Sequence, residues 1–134
     1  MAHILIAYVA TAAIFFGLDL IWLSTMVDGF YRPRLAGLLL EKPNLPVAVG
    51  FYVLYVAGIL IFAVLPALRA GGWTQAALMG GLFGFFAYAT YDLTNLATLR
   101  GFSPAVAAVD LVWGTLATAA AAAIGTLITG WLTR

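Results

Sequence analysis

The stretch from Val47 to Leu68 constrains the fold most strongly, because it runs for 22 residues without a charged side chain. A helix that crosses the hydrocarbon core of a bilayer needs about 20 mostly apolar residues. Three further segments meet this requirement, at about residues 4–26, 74–98 and 104–132. The sequence therefore predicts an all-α fold, a polytopic bundle of four transmembrane helices in one integral membrane domain that spans residues 1–134.

The composition agrees with a lipid environment and excludes several classes of function. The chain is 65% hydrophobic and 8% charged, whereas soluble domains are about 45–50% apolar and about 25% charged. A net charge of +1 gives no basic surface for nucleic acid. Without cysteine, and with His3 as the single histidine, the chain is predicted to hold no metal site and no cofactor. Its expected partners are membrane lipids.

Lysine and arginine indicate the orientation of a multi-pass protein. The basic residues on one side are Arg32, Arg34, Lys42 and Arg100, and those on the other are Arg69 and Arg134. This excess predicts cytoplasmic first and third connections and extracytoplasmic termini. The apolar centre of the first connection, Leu35–Leu40, predicts a short helix in the membrane interface, with an ordinary polar loop as the alternative.

Two segments indicate an internal repeat. Residues 19–25 (DLIWLST) and 92–98 (DLTNLAT) agree at four of seven positions. Both segments run in the same direction, so the repeat would relate two parallel helical hairpins about an axis along the membrane normal. The same alignment superimposes Tyr52 on Asp110. Chance recurrence of Leu and Thr, which membrane sequences use often, is the alternative.

Small residues form two stripes that allow helix backbones to approach closely. They comprise Gly80, Gly81 and Gly84 in the third span and Ala117, Ala121 and Gly125 in the fourth. We assign both stripes to helix packing and to no chemistry.

Three carboxylates, Asp19, Asp92 and Asp110, lie within the predicted spans. A charged side chain at the bilayer centre costs about 2.5–3.5 kcal/mol on insertion scales. At 1.5 Å per residue, each aspartate lies about 9–11 Å inside the end of its helix, on the same side of the membrane. The sequence therefore predicts an aspartate layer inside the bundle, near one face.

Aromatic and polar side chains accompany the aspartate layer at helical spacing. The candidate ligand-binding residues are the three aspartates with Tyr88, Asn95, Trp22, Trp113, Arg32 and Arg34. For the two arginines, neutralisation of lipid headgroups is the alternative. For the aspartates, the alternative is hydrogen bonding that fixes helix register, although such bonds average about 0.6 kcal/mol and hardly offset the insertion cost. No catalytic residue is assigned.

Three motifs, GLDLIW at 17–22, YDLTNLAT at 91–98 and VDLVWG at 109–114, resemble a group of small bacterial membrane proteins. The group is catalogued as domain of unknown function 2177. The similarity spans nearly the whole chain, and YDLTN is its most specific part. The resemblance implies a four-helix protein of the bacterial inner (cell) membrane, and it carries over no substrate and no catalytic residue.

Three hypotheses of function follow. The favoured one is that the aspartate layer binds or transports a small cationic or protonatable ligand, or a proton, because this needs no catalytic motif. Four helices enclose little volume, so a homodimer is expected. The second is an intramembrane lipid-modifying enzyme that uses a hard divalent cation such as Mg²⁺. The third is a structural or accessory subunit whose polar layer only sets helix packing.

Overall fold

Four helices pack into a bundle in the computed structural model, which describes residues 2–134. The helices are α1, Ala2–Arg34, α2, Leu45–Ala70, α3, Gly72–Thr98, and α4, Pro104–Leu132. Within residues 2–134 there is no strand. The predicted all-α four-helix architecture is thus confirmed.

Three of the described helices, α1, α2 and α4, are long and apolar enough to cross a membrane by length and composition. Helix α3 has 27 residues, or about 40 Å at 1.5 Å per residue, which is long enough to cross a membrane. It is less apolar than the other three helices and is not among the candidate membrane spans. It nevertheless forms the most extensive helix–helix contact of the bundle, with α4. The fourth crossing, through α3, stays a prediction.

Helix α1 continues past the boundary predicted at Met26 because a π-helical turn carries it through Asp28 and Gly29. The turn comprises Val27–Tyr31, and the N–H of Arg32 donates to the carbonyl of Val27. Pro33 follows directly, and a proline ring would collide with the carbonyl four residues back in a regular α-helix. The additional residue of the π-turn removes this conflict. The first helix therefore ends at Arg34, beyond the end predicted for the first span.

Helix α2 contains the same arrangement. Its π-turn is Leu60–Val64, Leu65 donates its N–H to the Leu60 carbonyl, and Pro66 follows. A side-chain cap begins this helix, since the Asn44 side chain accepts a hydrogen bond from the Val47 N–H.

The short interfacial helix predicted at Leu35–Leu40 is absent from the described chain. These residues form turns instead, with the Leu38 N–H donating to the Leu35 carbonyl. Gly37 has a φ of 86°, a conformation that ends a helix rather than continuing one. The connection is therefore irregular, and Leu35 alone among residues 35–40 is buried beneath it.

Helices α3 and α4 are antiparallel and meet through small residues at steps of four. A Cβ added to Gly80 would lie 2.6 Å from the Ala122 Cβ, and one added to Gly84 would lie 2.7 Å from the Thr118 Cβ. One further step brings the Tyr88 ring against Gly114. The contacts pair position 80 with 122, 84 with 118 and 88 with 114, so the register between the helices is fixed.

A second small-residue stripe of α4 faces α1. Gly125 lies directly against Thr11, which belongs to the buried stripe of α1 formed at four-residue intervals by Ala7, Thr11, Phe15 and Asp19. Both predicted stripes therefore lie at helix contacts, but the predicted stripe of α4 contacts α1, through Gly125. Helix α4 contacts α3 instead through Gly114, Thr118 and Ala122.

Glycine substitutions test this packing. We expect Gly84→Ala to lower the free energy of unfolding by about 1–3 kcal/mol, because the new methyl group would lie 2.6 Å from the Gly114 carbonyl oxygen. Thermal unfolding in detergent, followed by circular dichroism, measures the change.

The matched control is Gly81→Ala, whose new methyl group meets its nearest neighbour, the Ala119 Cβ, at an ordinary 3.5 Å. It should leave stability unchanged or raise it by up to about 1 kcal/mol through helix propensity. Equal stability of the two variants would contradict the register described above.

Candidate functional site

The register of α3 and α4 brings two carboxyl groups together. One more step of four beyond the contact of Tyr88 with Gly114 makes Asp92 and Asp110 neighbours across the two helices. Asp92 is fully buried, and neither of its carboxyl oxygens meets a donor anywhere in residues 2–134. Ionised carboxylates only accept hydrogen bonds. The pair can therefore bond to itself only when it holds a proton.

Asp110 is held by a hydrogen-bonded chain from α1. The Tyr31 hydroxyl donates to Asp110 Oδ1 at 2.9 Å, and Trp22 Nε1 donates to the Tyr31 oxygen at 3.0 Å. In a regular α-helix, Tyr31 would project about 180° away from Trp22, since nine residues at about 100° each separate them. The π-turn at Val27–Tyr31 has a smaller rotation per residue than an α-helix, so the angle between the two side chains falls and Tyr31 faces Asp110. Sequence reasoning based on α-helical spacing could not identify Tyr31.

Asp19 differs from Asp92 because both of its oxygens have donors. The Tyr52 hydroxyl donates to Oδ2, and Trp113 Nε1 donates to Oδ1 at 3.2 Å. These bonds tie α1 to α2 and to α4. Asp19 is therefore a satisfied buried carboxylate that joins three helices.

Stacked indoles connect the two networks. The rings of Trp22 and Trp113 lie parallel, with centroids 4.3 Å apart and an interplanar angle of 5°. Trp22 donates to Tyr31, which in turn donates to Asp110, whereas Trp113 donates to Asp19. The structure thus brings all three aspartates and both tryptophans into one connected interior region, although Asp19 does not join the Asp92–Asp110 pair. In the part of the chain that the structure describes, no group of three or more carboxylate or imidazole side chains is arranged to hold a metal ion.

Two cavities adjoin Asp110. The aromatic cavity has a volume of about 340 Å³ and is lined by Phe51, Tyr55, Ala87, Tyr88, Tyr91 and Asp110. The connection cavity has a volume of about 680 Å³ and lies between the end of α1, the first connection and the start of α2. Asp110 and Tyr91 line both of them.

The remaining candidates are placed differently. Tyr88 lines the aromatic cavity, while Asn95 is half-buried beside Tyr91 and lines neither cavity. Arg32 lines the connection cavity and pairs with Asp28 at 3.1 Å. Arg34 does not reach the aspartates, because its guanidinium stacks 4.1 Å above the Phe30 ring and donates to the Phe30 carbonyl.

One contact follows the repeat alignment. Tyr52 was not among the predicted site residues, but the alignment superimposes it on Asp110. Tyr52 bonds to Asp19, and Asp110 is the neighbour of Asp92, which the same alignment superimposes on Asp19. The packing of the two hairpins nevertheless differs, since α3 packs extensively on α4 whereas α1 packs more on α4 than on α2. The repeat stays a prediction, and its alignment was the sequence signal that could have identified Tyr52.

Removing one donor of Asp19 tests its structural role. Tyr52→Phe should lower the free energy of unfolding by about 1–3 kcal/mol, because a buried carboxylate oxygen loses its partner. The control, Tyr8→Phe, removes a 2.8 Å bond to the Val53 carbonyl, an oxygen within a helix, and should cost less than about 1 kcal/mol. Thermal unfolding in detergent compares the two, and a larger loss in Tyr8→Phe would contradict this role.

Comparison with known proteins agrees with the membrane character of the chain. No curated protein and no solved structure matches it. A family model described as "Predicted membrane protein (DUF2177)" matches residues 4–127, nearly the whole chain. The match confirms the resemblance drawn from the aspartate-containing motifs, and the three strongly apolar helices fit a membrane location. The chain belongs to this family of predicted membrane proteins of unknown function.

Proposed function

We propose that the chain binds and transports a proton or a small cationic or protonatable ligand at the Asp92–Asp110 pair. One observation carries the proposal: Asp92 is fully buried, both of its oxygens lack a donor within residues 2–134, and the helix register makes a second carboxyl group, that of Asp110, its neighbour.

Electrostatics explains why such a pair favours a positive occupant. A buried ionised group without a partner costs several kcal/mol, and two neighbouring carboxylates also repel each other. A proton or cation between Asp92 and Asp110 removes both penalties. Occupancy therefore completes the site, and alternative occupants compete with one another.

The aromatic cavity supports an organic cation as one occupant. The rings of Tyr55, Tyr88 and Tyr91 line it together with the Asp110 carboxyl group. Aromatic faces attract ammonium groups by about 0.5–2 kcal/mol each, most strongly where water is excluded. An organic cation in the aromatic cavity would therefore contact both the Asp110 carboxyl group and the surrounding tyrosine rings.

The two alternative functions gain less support. A magnesium-dependent enzyme needs several free oxygen ligands, but both Asp19 oxygens accept hydrogen bonds from Tyr52 and Trp113. A purely structural role suits Asp19 for the same reason. For Asp92 a structural role requires a proton shared with Asp110, since neither Asp92 oxygen meets a donor in the described structure, and that proton is itself the simplest occupant of the proposed site.

Asp92→Asn tests the proposal. The amide can donate to Asp110, so the variant should fold with unchanged or higher thermal stability. In lightly buffered detergent solution, tetraethylammonium should displace up to one proton per wild-type chain and none from Asp92→Asn. A sensitive pH electrode measures the release.

The control variant is Asp28→Asn, which alters an exposed carboxylate paired with Arg32 and should release protons like the wild type. Equal proton release by Asp92→Asn and the wild type would refute the proposal. So would a wild-type chain that neither releases protons nor reacts with dicyclohexylcarbodiimide at Asp92 or Asp110.

A further inference from the structure

The connection cavity is larger than a proton or a small inorganic cation requires. Its volume is about 680 Å³, twice that of the aromatic cavity, and the two cavities share Asp110 and Tyr91 as lining residues. The Tyr31 hydroxyl, which also lines the connection cavity, holds the Asp110 carboxyl group at this junction. Any molecule in the connection cavity therefore lies within reach of the carboxylate pair.

The lining of the connection cavity is mostly aliphatic. It includes Leu23, Leu35, Leu38, Leu39, Leu40 and Val47. Leu38 and Leu40 are 48% and 68% exposed, so the first connection offers aliphatic surface that has no partner in the described chain. Contact with such a surface stabilises a bound aliphatic chain by about 0.8 kcal/mol for each methylene group removed from water.

Charge determines which end of an amphipathic molecule lies at Asp110. Among the described lining residues, Arg32 and Asp110 are the charged ones. Arg32 is already paired with Asp28 at 3.1 Å, whereas Asp110 has the unpartnered Asp92 beside it. A phosphate or carboxylate headgroup would meet the Asp110 carboxyl group and an arginine that is already paired with Asp28. An ammonium headgroup would meet an attractive site.

We propose that the ligand is an amphipathic ammonium compound whose charged group lies against Asp110, at the junction of the two cavities, and whose aliphatic chain fills the connection cavity. This inference rests on the proposed function and narrows it from small cations in general to alkylammonium compounds. The residues that line the connection cavity fix the orientation of the ligand. Its aliphatic chain lies beneath the first connection, and its headgroup lies at the junction of the two cavities.

A chain-length series tests the inference. Tetramethylammonium, butyltrimethylammonium and octyltrimethylammonium are titrated against the wild-type protein in lipid nanodiscs, and cation-linked proton release gives the midpoint concentration for each. We expect the midpoint to fall about threefold to fourfold per added methylene group, corrected with empty nanodiscs for partitioning into lipid.

Ala48→Phe separates the aliphatic chain from the headgroup. Ala48 lines the connection cavity, so the larger side chain should raise the octyltrimethylammonium midpoint at least tenfold and leave the tetramethylammonium midpoint unchanged. The matched control is Val49→Phe, at a neighbouring position that is 56% exposed and does not line the cavity. It should change neither midpoint. If Ala48→Phe does not fold, Leu38→Trp on the first connection provides the same test outside the helices.

The outcomes distinguish this inference from the function on which it rests. Proton release that depends on Asp92 but not on chain length would overturn the alkylammonium assignment and leave the carboxylate pair as a site for small cations. Equal effects of Ala48→Phe on both midpoints would also overturn it. Absence of proton release with every compound would refute the proposed function itself.

Discussion

The close contact between α3 and α4 determines most of the site. Glycines at positions 80, 84 and 114 remove side chains where the two backbones meet, so the helices align at steps of four residues. The same register, continued by one step, sets Asp92 against Asp110. A packing contact that has no chemistry of its own thus makes two carboxyl groups neighbours, and two such groups repel each other when both are ionised.

The three aspartates within the helices divide into two kinds by their hydrogen bonds. Asp19 has a donor for each oxygen and holds α1, α2 and α4 together. Asp92 is at least as deeply buried but has no donor in the described chain. Because an unsatisfied buried carboxylate is costly whereas a satisfied one is tolerated, the proposed binding site is assigned to Asp92 and its neighbour Asp110, and not to Asp19. Family membership agrees with the membrane setting and assigns no function to either kind.

The sequence predicted the helices better than the contacts between them. Helical spacing placed Trp22 on one face with Asp19, and Trp113 on one face with Asp110. In the structure the bonds cross between elements instead, since Trp113 donates to Asp19 and Trp22 donates to Tyr31. Regular spacing failed where the backbone departs from an α-helix. The π-turn before Pro33 extends α1 and turns Tyr31 inward, and the turns at Leu35–Leu40 replace a predicted helix. Arg34, expected near the aspartates, stacks on Phe30 instead.

By itself, the sequence determined that this chain is an all-helical protein suited to lipid, because apolar length and residue spacing are properties of one chain segment at a time. A common depth of its carboxylates stays a prediction. Only the tertiary structure decided which carboxylate has partners and which cavity adjoins it. Those properties depend on atoms brought together from different helices, across 94 residues in the bond from Trp113 to Asp19. Spacing along one helix carries no information on such contacts. The register between packed helices determines them.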